Sequence, residues 1–283
     1  MNTMLKDRIY GSLYGFAIGD AMGATTEFMD RTEIKKKYGT LIDIIGGGWL
    51  NLPAGQVTDD TQMMLCVARA ILKCYTKADT LEQCCKEFKD WLATDPVDVG
   101  NACRVAISTA TGTDPNIWMS NSSFLQAKSD RQFLGNGGLM RCLAPCLIGD
   151  MELAIDQSRL THNNRVCDVQ IAQYYHRVRR ILEEGTTGSP IEELMEPEGH
   201  VVNTYNNAVY WTQVSKDFEQ AIIGAVNDGE DADTIAALTG GLAGALHGYD
   251  AIPARWIAAL DGSVVQELRE VAEYICARCQ EHE

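Results

Sequence analysis

Positive charge is scarce in this sequence. Its 24 lysine and arginine residues stand against 39 aspartate and glutamate residues, which leaves a formal net charge of −15. Binding to a phosphate backbone requires clustered lysine and arginine, so the composition argues against a general nucleic-acid-binding protein. Bound divalent cations would offset part of this negative charge.

Long apolar segments are missing as well. No stretch approaches the about 18 consecutive apolar residues of a membrane-spanning helix, and residues 1–7 enter a helical pattern without the basic and apolar regions of a signal peptide. We therefore expect a cytoplasmic protein without a transmembrane segment. The chain has 283 residues, is 46% hydrophobic and shows no linker, which predicts one domain over residues 1–283.

The ten cysteines do not form the compact, loop-rich frame of a disulfide-stabilised protein. Several lie inside apolar helical patterns, and these are Cys66, Cys74, Cys103 and Cys142. We interpret them as reduced thiols of the core. Cys276-x-x-Cys279-x-x-His282 could be half of a zinc site or a redox pair, but without a second half-site a plain helix end is the better interpretation.

Helical periodicity recurs along the chain, whereas the sustained alternation of a β-strand is absent. We therefore predict an all-α fold. Two of the predicted helices, 7–24 and 235–248, carry glycines four residues apart. These glycines are Gly11, Gly15, Gly19 and Gly23 in the first, and Gly240, Gly244 and Gly248 in the second. Such spacing puts them on one face, and glycine costs about 1 kcal/mol relative to alanine inside a helix, so we expect these two helices to pack closely together.

Three local signals predict where other helices begin. Thr80-x-x-Gln83 matches a capping box that opens a helix through Trp91. Ser189-Pro190 predicts a helix start with proline at the first helical position. Asp98 precedes a predicted helix through Ala110, and its default interpretation is a helix cap.

Two acidic clusters each begin an apolar helix, Thr58-Asp59-Asp60-Thr61 and Asp231-Ala232-Asp233-Thr234. The first cluster alone would be explained by an ordinary capped helix, although a helix N-terminus does not easily account for two adjacent carboxylates. Packing of the glycine-striped helices would bring both clusters together. Oxygen ligands without histidine or cysteine suit Mg²⁺ or Mn²⁺ better than zinc.

Two further stretches are rich in glycine. The turn Gly135-Asn136-Gly137-Gly138-Leu139-Met140-Arg141 precedes an apolar helix, and turns with many exposed N–H groups can bind phosphate. Gly46-Gly47-Gly48-Trp49-Leu50 lacks the lysine and the Ser/Thr of a P-loop. We interpret this second stretch as a turn-rich approach to the first acidic cluster.

In this order, the motifs resemble those of the ADP-ribosylglycohydrolase family, over about residues 8–256. The shared motifs are Gly15-x-x-x-Gly19-Asp20-Ala21-x-Gly23-x-x-x-Glu27-Phe28, Thr58-Asp59-Asp60-Thr61, Gly135-Asn136-Gly137, Thr161-His162 and Asp231-Ala232-Asp233-Thr234. The stretch from Gly46 to Asp60 and the segment Pro96-Val97-Asp98-Val99-Gly100-Asn101 are similar to the dinitrogenase reductase-activating branch of that family. Each motif alone is weak evidence, whereas five in register are specific.

The resemblance implies a many-helix fold around two divalent cations, Mn²⁺ or Mg²⁺, and a substrate in which ADP-ribose is attached to a protein arginine. The metal ligands implied are Thr58, Asp59, Asp60, Asp231, Asp233 and Thr234. The catalytic candidates implied are Asp98, which would face the ribose and the guanidinium, and Glu27, which would lie beside the metals. The substrate-binding positions implied are Gly100, Asn101, Asn136, Gly137, Gly138, Met140, His162 and His200.

Within these positions, the Asn136 turn would receive phosphate and His162 would lie near the nucleotide. The partners that the resemblance implies are an ADP-ribosylated protein, with the nitrogenase iron protein as the expected target, and a PII-type nitrogen-signalling protein.

Two positions depart from the family pattern. Glu230 stands where the family usually has glycine before the second acidic cluster, and His200 stands where the similar branch has a tyrosine beside the ribose. The first change adds a carboxylate beside the expected metal site, and the second puts a stacking contact in doubt. Neither removes an expected ligand.

Different functions remain compatible with these motifs. A non-catalytic ADP-ribose-binding module could keep the same fold, but retention of all six ligand-type residues together with Glu27 and Asp98 favours an enzyme. Within the enzyme hypothesis, ADP-ribose could be removed from another protein, from serine or from a small molecule. The sequence does not identify the target.

Overall fold

The computed structural model describes residues 3–129 and 134–280, and regular structure in these ranges is helical, with two isolated β-bridges, Gly47–Leu52 and Gly135–His200. The helices are α1 (Thr3–Gly23), α2 (Arg31–Tyr38), α3 (Asp59–Lys73), α4 (Lys77–Ala93), α5 (Asn101–Thr109), α6 (Pro115–Lys128), α7 (Leu143–Ile148), α8 (Met151–Arg159), α9 (Arg165–Glu184), α10 (Val201–Val214), α11 (Phe218–Val226), α12 (Ala232–His247), α13 (Ala254–Ala259) and α14 (Gly262–Gln280). The predicted all-α class is confirmed.

The two glycine-striped helices, α1 and α12, form the centre of the fold. They run antiparallel, and a Cβ on Gly15 would lie 2.3 Å from the carbonyl oxygen of Gly240. At the other end of the contact, a Cβ on Gly23 would lie 2.5 Å from the carbonyl oxygen of Ala232. Side chains at these positions would force the helices apart, so the predicted reason for the glycines is confirmed.

This antiparallel pairing decides where the acidic clusters lie. The end of α1 reaches the start of α12, which carries the second cluster. The start of α3 is joined to α1 by Asp20, whose carboxylate accepts the N–H groups of Thr58 and Thr61, each at 2.9 Å. The first and second acidic clusters therefore meet where α1 ends and α3 and α12 begin, as the sequence predicts.

The remaining helices cover this central pair. Helices α9, α10 and α11 pack on α12, α3 packs on α4 and α7, and α14 lies against α1 and α3. Cys66, Cys103 and Cys142 are buried, in agreement with their interpretation as core thiols, whereas Cys74 is half-buried at the end of α3. Over the described ranges, none of the helices is long and apolar enough to cross a bilayer.

The predicted helix at Ser189-Pro190 is wrong, because residues 186–199 form no helix. The N–H groups of Ile191 and Met195 donate to side chains of α10, Gln213 Oε1 at 2.9 Å and Asn207 Oδ1 at 2.8 Å. The backbone therefore satisfies its hydrogen bonds through tertiary contacts, which a local propensity argument does not include.

The predicted capping box at Thr80 is wrong as well. Helix α4 begins at Lys77, and Thr76 caps it by accepting the N–H of Asp79 at 3.2 Å. Thr80 lies inside the helix, where its hydroxyl donates to the carbonyl oxygen of Thr76 at 2.8 Å. Thr76, four residues before Thr80, is the better cap because its backbone is still extended.

Candidate active site

A cavity of about 590 Å³ opens where α1 ends and where α3, α5 and α12 begin. The predicted site residues that line it are Glu27, Asp59, Asp60, Asp98, Gly100, Asn101, Asn136, Gly137, Met140, His162, Asp231, Asp233 and Thr234. We call the carboxylate side, Glu27, Asp59, Asp60, Asp98, Asp231 and Asp233, the acidic wall. We call the facing side, residues 135–140 and His162 with Arg141 behind them, the turn wall.

Three predicted site residues are not among those that line the cavity. The hydroxyl of Thr58 lies behind it, 3.5 Å from Asp60 Oδ2. Gly138 packs against α8, and its carbonyl oxygen accepts a hydrogen bond from Gln157 at 2.9 Å. His200 begins α10, where its Nδ1 accepts the N–H of Val202 at 3.3 Å. The structure therefore gives His200 a helix-capping role and brings Gly199, not its ring, to the cavity.

Asp98 does not cap the helix that follows it. Helix α5 begins at Asn101 with Gly100 at its N-cap position and no side-chain cap. The Gly100 N–H donates instead to Asp59 Oδ2, at 3.0 Å. The half-buried carboxylate of Asp98 lines the cavity, so the default capping interpretation of this residue is wrong.

The role of Asp20 in positioning the acidic wall was not predicted from the sequence. Asp20 is completely buried and, by accepting two N–H groups at the start of α3, does the work of a helix cap. Asp59 and Asp60 are thereby left to face the cavity. The signal in the sequence is a charged residue inside the glycine stripe, directly after Gly19.

Carboxylates from three separate segments approach closely on the acidic wall. One oxygen each of Glu27, Asp98 and Asp233 lies within 4.8 Å of the other two, a grouping that could hold a metal ion. The sequence-based assignment put the first two in catalysis and the third in metal binding. The geometry brings all three to one place.

Burial, reinforced by mutual repulsion, raises the pKa values across the acidic wall. The pKa of Glu27 is raised to about 8, and those of Asp59 and Asp231 to about 7, with burial the largest cause in each case. Burial likewise raises the pKa of Asp60 and of Asp233 well above the ordinary value. Such shifts mean that ionised carboxylates lack enough positive charge around them in this state.

The oxygen atoms of Asp60 test whether the wall suits a cation. Asp60 Oδ2 accepts a hydrogen bond from the Thr234 hydroxyl at 3.2 Å, whereas Asp60 Oδ1 is buried and has no hydrogen-bond partner among the described residues. A buried carboxylate oxygen without a partner is costly. A divalent cation would satisfy it, and the all-oxygen donor set suits Mn²⁺ or Mg²⁺.

The turn wall is tied to the acidic wall through Asn136. Its side-chain amide donates to Asp231 Oδ2 at 2.6 Å and to the hydroxyl of Thr204 at 3.1 Å. Gly137 leaves no room for a side chain, because a Cβ there would lie 2.7 Å from Cε1 of His162. The turn therefore brings the polypeptide backbone itself to the cavity surface.

Arg141 lies behind this turn and is completely buried. Its hydrogen-bond partners in the described part of the chain are neutral. They are Gln157 through Oε1 at 2.7 Å and its carbonyl oxygen at 2.9 Å, the Thr161 hydroxyl at 2.8 Å, Cys103 Sγ at 3.5 Å and Met63 Sδ at 3.9 Å. Its guanidinium also stacks 4.6 Å from the ring centre of Phe88. A full positive charge therefore lies close behind the turn.

Arg141 also influences His162. The Thr161 hydroxyl lies 2.8 Å from His162 Nδ1, and because it accepts from a guanidinium that can only donate, its own proton is available for that nitrogen. This arrangement favours the tautomer with hydrogen on Nε2. Burial, with the charge of Arg141, lowers the pKa of His162 to about 3, so the imidazole stays neutral.

Comparison with known proteins identifies the family. A family model described as ADP-ribosylglycohydrolase matches residues 1–195 and 169–283. The chain is 34% identical to the ADP-ribosyl-[dinitrogen reductase] glycohydrolase of Rhodospirillum rubrum, with 96% of this chain and 97% of that protein covered. It is 29% identical to the ADP-ribosylarginine hydrolase Tri1 of Pseudomonas putida (strain GB-1), with 96% and 78% covered.

A solved structure has the same fold. It is an ADP-ribosylglycohydrolase-related protein complex, which matches with a TM-score of 0.76 and 26% identity over 97% of this chain and 98% of that chain. The family model, the sequence relatives and the solved structure agree on one family, which is the family that the sequence motifs resemble. The chain belongs to the ADP-ribosylglycohydrolase family.

Proposed function

We propose that this protein hydrolyses the N-glycosidic bond between ADP-ribose and the guanidinium of a protein arginine, with two divalent cations, Mn²⁺ or Mg²⁺. The observation that carries this proposal is the convergence of three distant acidic segments, around residues 27, 59–60 and 231–233, on one cavity that faces the Asn136 turn. A volume of about 590 Å³ is in the usual range for a small-molecule site.

The residues that would hold the cations are Asp59, Asp60, Asp231, Asp233 and Thr234, with Thr58 acting behind Asp60. When bound, two such cations can hold vicinal ribose hydroxyls and a water molecule near the anomeric carbon. The unpartnered oxygen of Asp60 supports this assignment. A non-catalytic ADP-ribose-binding module would have no need for so many buried carboxylates.

The chain's own residues would carry the rest of the chemistry. As the glycosidic bond breaks, the ribose develops positive charge, which the carboxylate of Asp98 would stabilise from the side of the guanidinium. Glu27, oriented by the indole N–H of Trp49 at 2.6 Å, is the alternative group to take a proton from water. The Asn136 turn and His162 would bind the pyrophosphate and nucleotide part, with Gly100, Asn101, Gly137 and Met140 shaping the walls.

The relatives favour an arginine-linked substrate but differ in their targets. One is a glycohydrolase of ADP-ribosyl-dinitrogen reductase and the other an ADP-ribosylarginine hydrolase. We propose the nitrogenase iron protein as the target of this chain, with a PII-type nitrogen-signalling protein as a regulatory partner. The similarity to Tri1 favours, as a second candidate, an arginine of a different protein.

The test is release of ADP-ribose from three substrates: ADP-ribosylated nitrogenase iron protein, an unrelated protein ADP-ribosylated on arginine, and a peptide ADP-ribosylated on serine. We expect release from arginine in the presence of Mn²⁺ and no release from serine. Full turnover after treatment with a chelator would contradict the metal-dependent proposal. Tight binding of ADP-ribose without any turnover would identify a binding module instead.

A further inference from the structure

Two exposed aromatic side chains, Phe28 and Trp49, line the mouth of the cavity, and we call them the aromatic rim. Their exposed fractions are 62% and 55%, and their ring centres lie 5.3 Å apart. Exposure of a large aromatic side chain to water is unfavourable. An exposed pair at the entrance of a polar cavity therefore indicates a contact surface for a ligand.

The backbone at Phe28 holds its side chain in this exposed position. Phe28 has a φ of +59° and Glu230 a φ of +51°, a region that residues with a side chain rarely occupy. Backbone hydrogen bonds join the two segments. The Phe28 N–H donates to the carbonyl oxygen of Glu230 at 2.8 Å, and the Glu230 N–H donates to the carbonyl oxygen of Met29 at 2.9 Å. Backbone strain that the surrounding contacts maintain is characteristic of functional positions.

The glycines of the 46–50 loop hold Trp49 in the same way. Gly46, Gly47 and Gly48 all have positive φ, and a Cβ on Gly48 would lie 2.0 Å from the carbonyl oxygen of Ala24. The loop can therefore lie directly on the segment that follows α1. There the indole N–H of Trp49 donates to Glu27 at 2.6 Å while more than half of the side chain stays exposed.

The charges around the aromatic rim favour one kind of ligand. The carboxylate residues Glu27, Asp98, Glu198 and Glu230 line the same cavity as the aromatic rim. A guanidinium is planar and permanently charged, stacks on aromatic faces and pairs with carboxylates. A neutral hydroxyl-bearing side chain would gain neither attraction. The combination therefore distinguishes arginine from serine.

We infer that the aromatic rim is the binding site for the guanidinium of the modified arginine, and that it sets the preference of the enzyme for arginine-linked ADP-ribose. This inference rests on the proposed function. The glycine-rich loop, for which sequence analysis found no role beyond a turn, positions Trp49 for this contact.

The kinetic test compares variants that remove an aromatic ring with variants that keep one. In Phe28→Leu and Trp49→Leu we expect the KM for ADP-ribosylarginine to rise about 3- to 30-fold, the range of a cation–π contact. In Phe28→Leu kcat should stay within about twofold, whereas in Trp49→Leu kcat should also fall, because this variant loses the hydrogen bond to Glu27. The inhibition constant of free ADP-ribose, which lacks the guanidinium, should not change. Phe28→Tyr should stay nearer the wild-type KM than Phe28→Leu. Tyr75→Leu, an exposed aromatic outside the cavity, is the control.

Trp49→Phe separates the two contacts of Trp49. It keeps a ring at the rim and removes the hydrogen bond to Glu27, so we expect kcat to fall more than KM rises. An unchanged KM in both leucine variants, or a parallel rise in the inhibition constant of ADP-ribose, would overturn the inference.

A binding experiment tests the aromatic rim without relying on catalysis. Agmatine, which carries a guanidinium, is titrated into the protein with ADP-ribose and diamagnetic Mg²⁺ present, and the indole N–H signal of Trp49, assigned by its loss in Trp49→Phe, is followed by NMR. We expect a shift with agmatine, little shift with its urea analogue, which keeps the terminal ammonium group but lacks the guanidinium charge, and a weaker response in Phe28→Leu. No shift, or equal shifts with both probes, would overturn the inference.

The two proposals fail in different ways. If the wild type releases no ADP-ribose from arginine but agmatine shifts the Trp49 signal, the proposed function fails and the guanidinium site stands. If the wild type acts on arginine but the leucine variants keep their KM and agmatine leaves the signal unchanged, the function stands and the site does not.

Discussion

The two walls of the cavity differ in the charge that they lack: the acidic wall lacks positive charge, and the turn wall lacks negative charge. On the acidic wall, buried carboxylates have raised pKa values, and Asp60 Oδ1 has no hydrogen-bond partner among the described residues. Behind the turn wall, the guanidinium of Arg141 is buried with neutral partners in the described part of the chain. Buried charge without a counter-charge is unfavourable, so each wall is incomplete without a ligand.

The contrast shows what the cavity is complementary to. A ligand that brings positive charge to one wall and negative charge to the other would complete both, as divalent cations together with a pyrophosphate would do. A hydrogen bond of 2.6 Å from the Asn136 side chain to Asp231 connects the two walls. A substitution in one wall should therefore weaken the binding of the cations or of the pyrophosphate, and leave the binding of the other unchanged.

The largest effect is expected from Asp60→Asn, which removes charge from the centre of the acidic wall. We expect Mn²⁺ binding to be lost and kcat/KM to fall by about a thousandfold or more, because the cations supply the charge that holds the ribose. In a chelator, the variant should melt at a higher temperature than the wild type, since repulsion between buried carboxylates is relieved. Calorimetric Mn²⁺ titration, activity and melting temperature measure these effects.

Glu152→Gln is the matched control for Asp60→Asn, because it neutralises an exposed carboxylate on α8. It should bind metal and turn over like the wild type. An Asp60→Asn protein that is inactive but still binds two cations with wild-type affinity would contradict the ligand assignment.

A smaller effect is expected from Asp98→Asn. The rate should fall by at least about a hundredfold if the negative charge stabilises the developing ribosyl cation. The melting temperature should hardly change, because α5 is not capped by Asp98. The assay is release of ADP-ribose from ADP-ribosylated arginine at saturating Mn²⁺, with metal content measured on the same samples.

Two results would change the assignment of Asp98. A rate within a few-fold of wild type would leave Glu27 as the catalytic candidate. A loss of Mn²⁺ together with activity would place Asp98 in the metal site, in line with its closeness to Glu27 and Asp233.

On the turn wall, Arg141→Met should weaken ADP-ribose binding by about tenfold, or ~1.4 kcal/mol, while Mn²⁺ binding persists. The pKa of His162 should rise from about 3, because the charge of Arg141 contributes to lowering it, but stay below its ordinary value because burial is the larger cause. Calorimetry and NMR titration of the imidazole measure both. Arg180→Met, on the partly exposed side of α9, is the control, and equal affinities in the two variants would contradict this prediction.

The smallest effect concerns pH. In the metal-free protein, the pKa values of Asp59 and Asp231 are raised to about 7 and that of Glu27 to about 8. The folded state therefore keeps protons that the unfolded chain has already released, so its stability falls as pH rises through this range. We expect the melting temperature in a chelator to decrease by several degrees from pH 5 to 8.

Saturating Mn²⁺ should flatten this pH dependence, because bound cations compensate the ionised carboxylates. Melting curves at pH 5, 6, 7 and 8, with chelator and with Mn²⁺, provide the comparison. A melting temperature that rises with pH in the chelator would contradict the prediction.

Much of the fold was predictable because the spacing of the glycines indicates the packing of its two central helices. Glycines every four residues on α1 and α12 have little other physical reason than close packing, and that packing brings both acidic clusters together. Local cues were less reliable. After Ser189-Pro190, hydrogen bonds donated by backbone N–H groups to the side chains of Gln213 and Asn207 take the place of the predicted helix, and near Asp98 the cap proved to be a glycine.

The site was predictable where a whole motif was involved, and unpredictable where a partner came from a distant segment. That Asp20 would accept the first N–H groups of α3, or that Arg141 would act on His162 through Thr161, depends on side-chain positions that no spacing specifies. The exposure of Phe28 depends likewise on a backbone pairing with Glu230, about 200 positions away in the chain.

By itself, the sequence determined the helical class, the pairing of the glycine-striped helices and the collection of oxygen ligands, because periodicity and residue chemistry are local properties of the chain. Only the tertiary structure decided which carboxylates share one cavity, which helix end is capped by a distant aspartate, and that a guanidinium is buried behind the Asn136 turn. Those features arise from the burial of charge in a shared low-dielectric interior, and burial is defined only when the whole chain has folded.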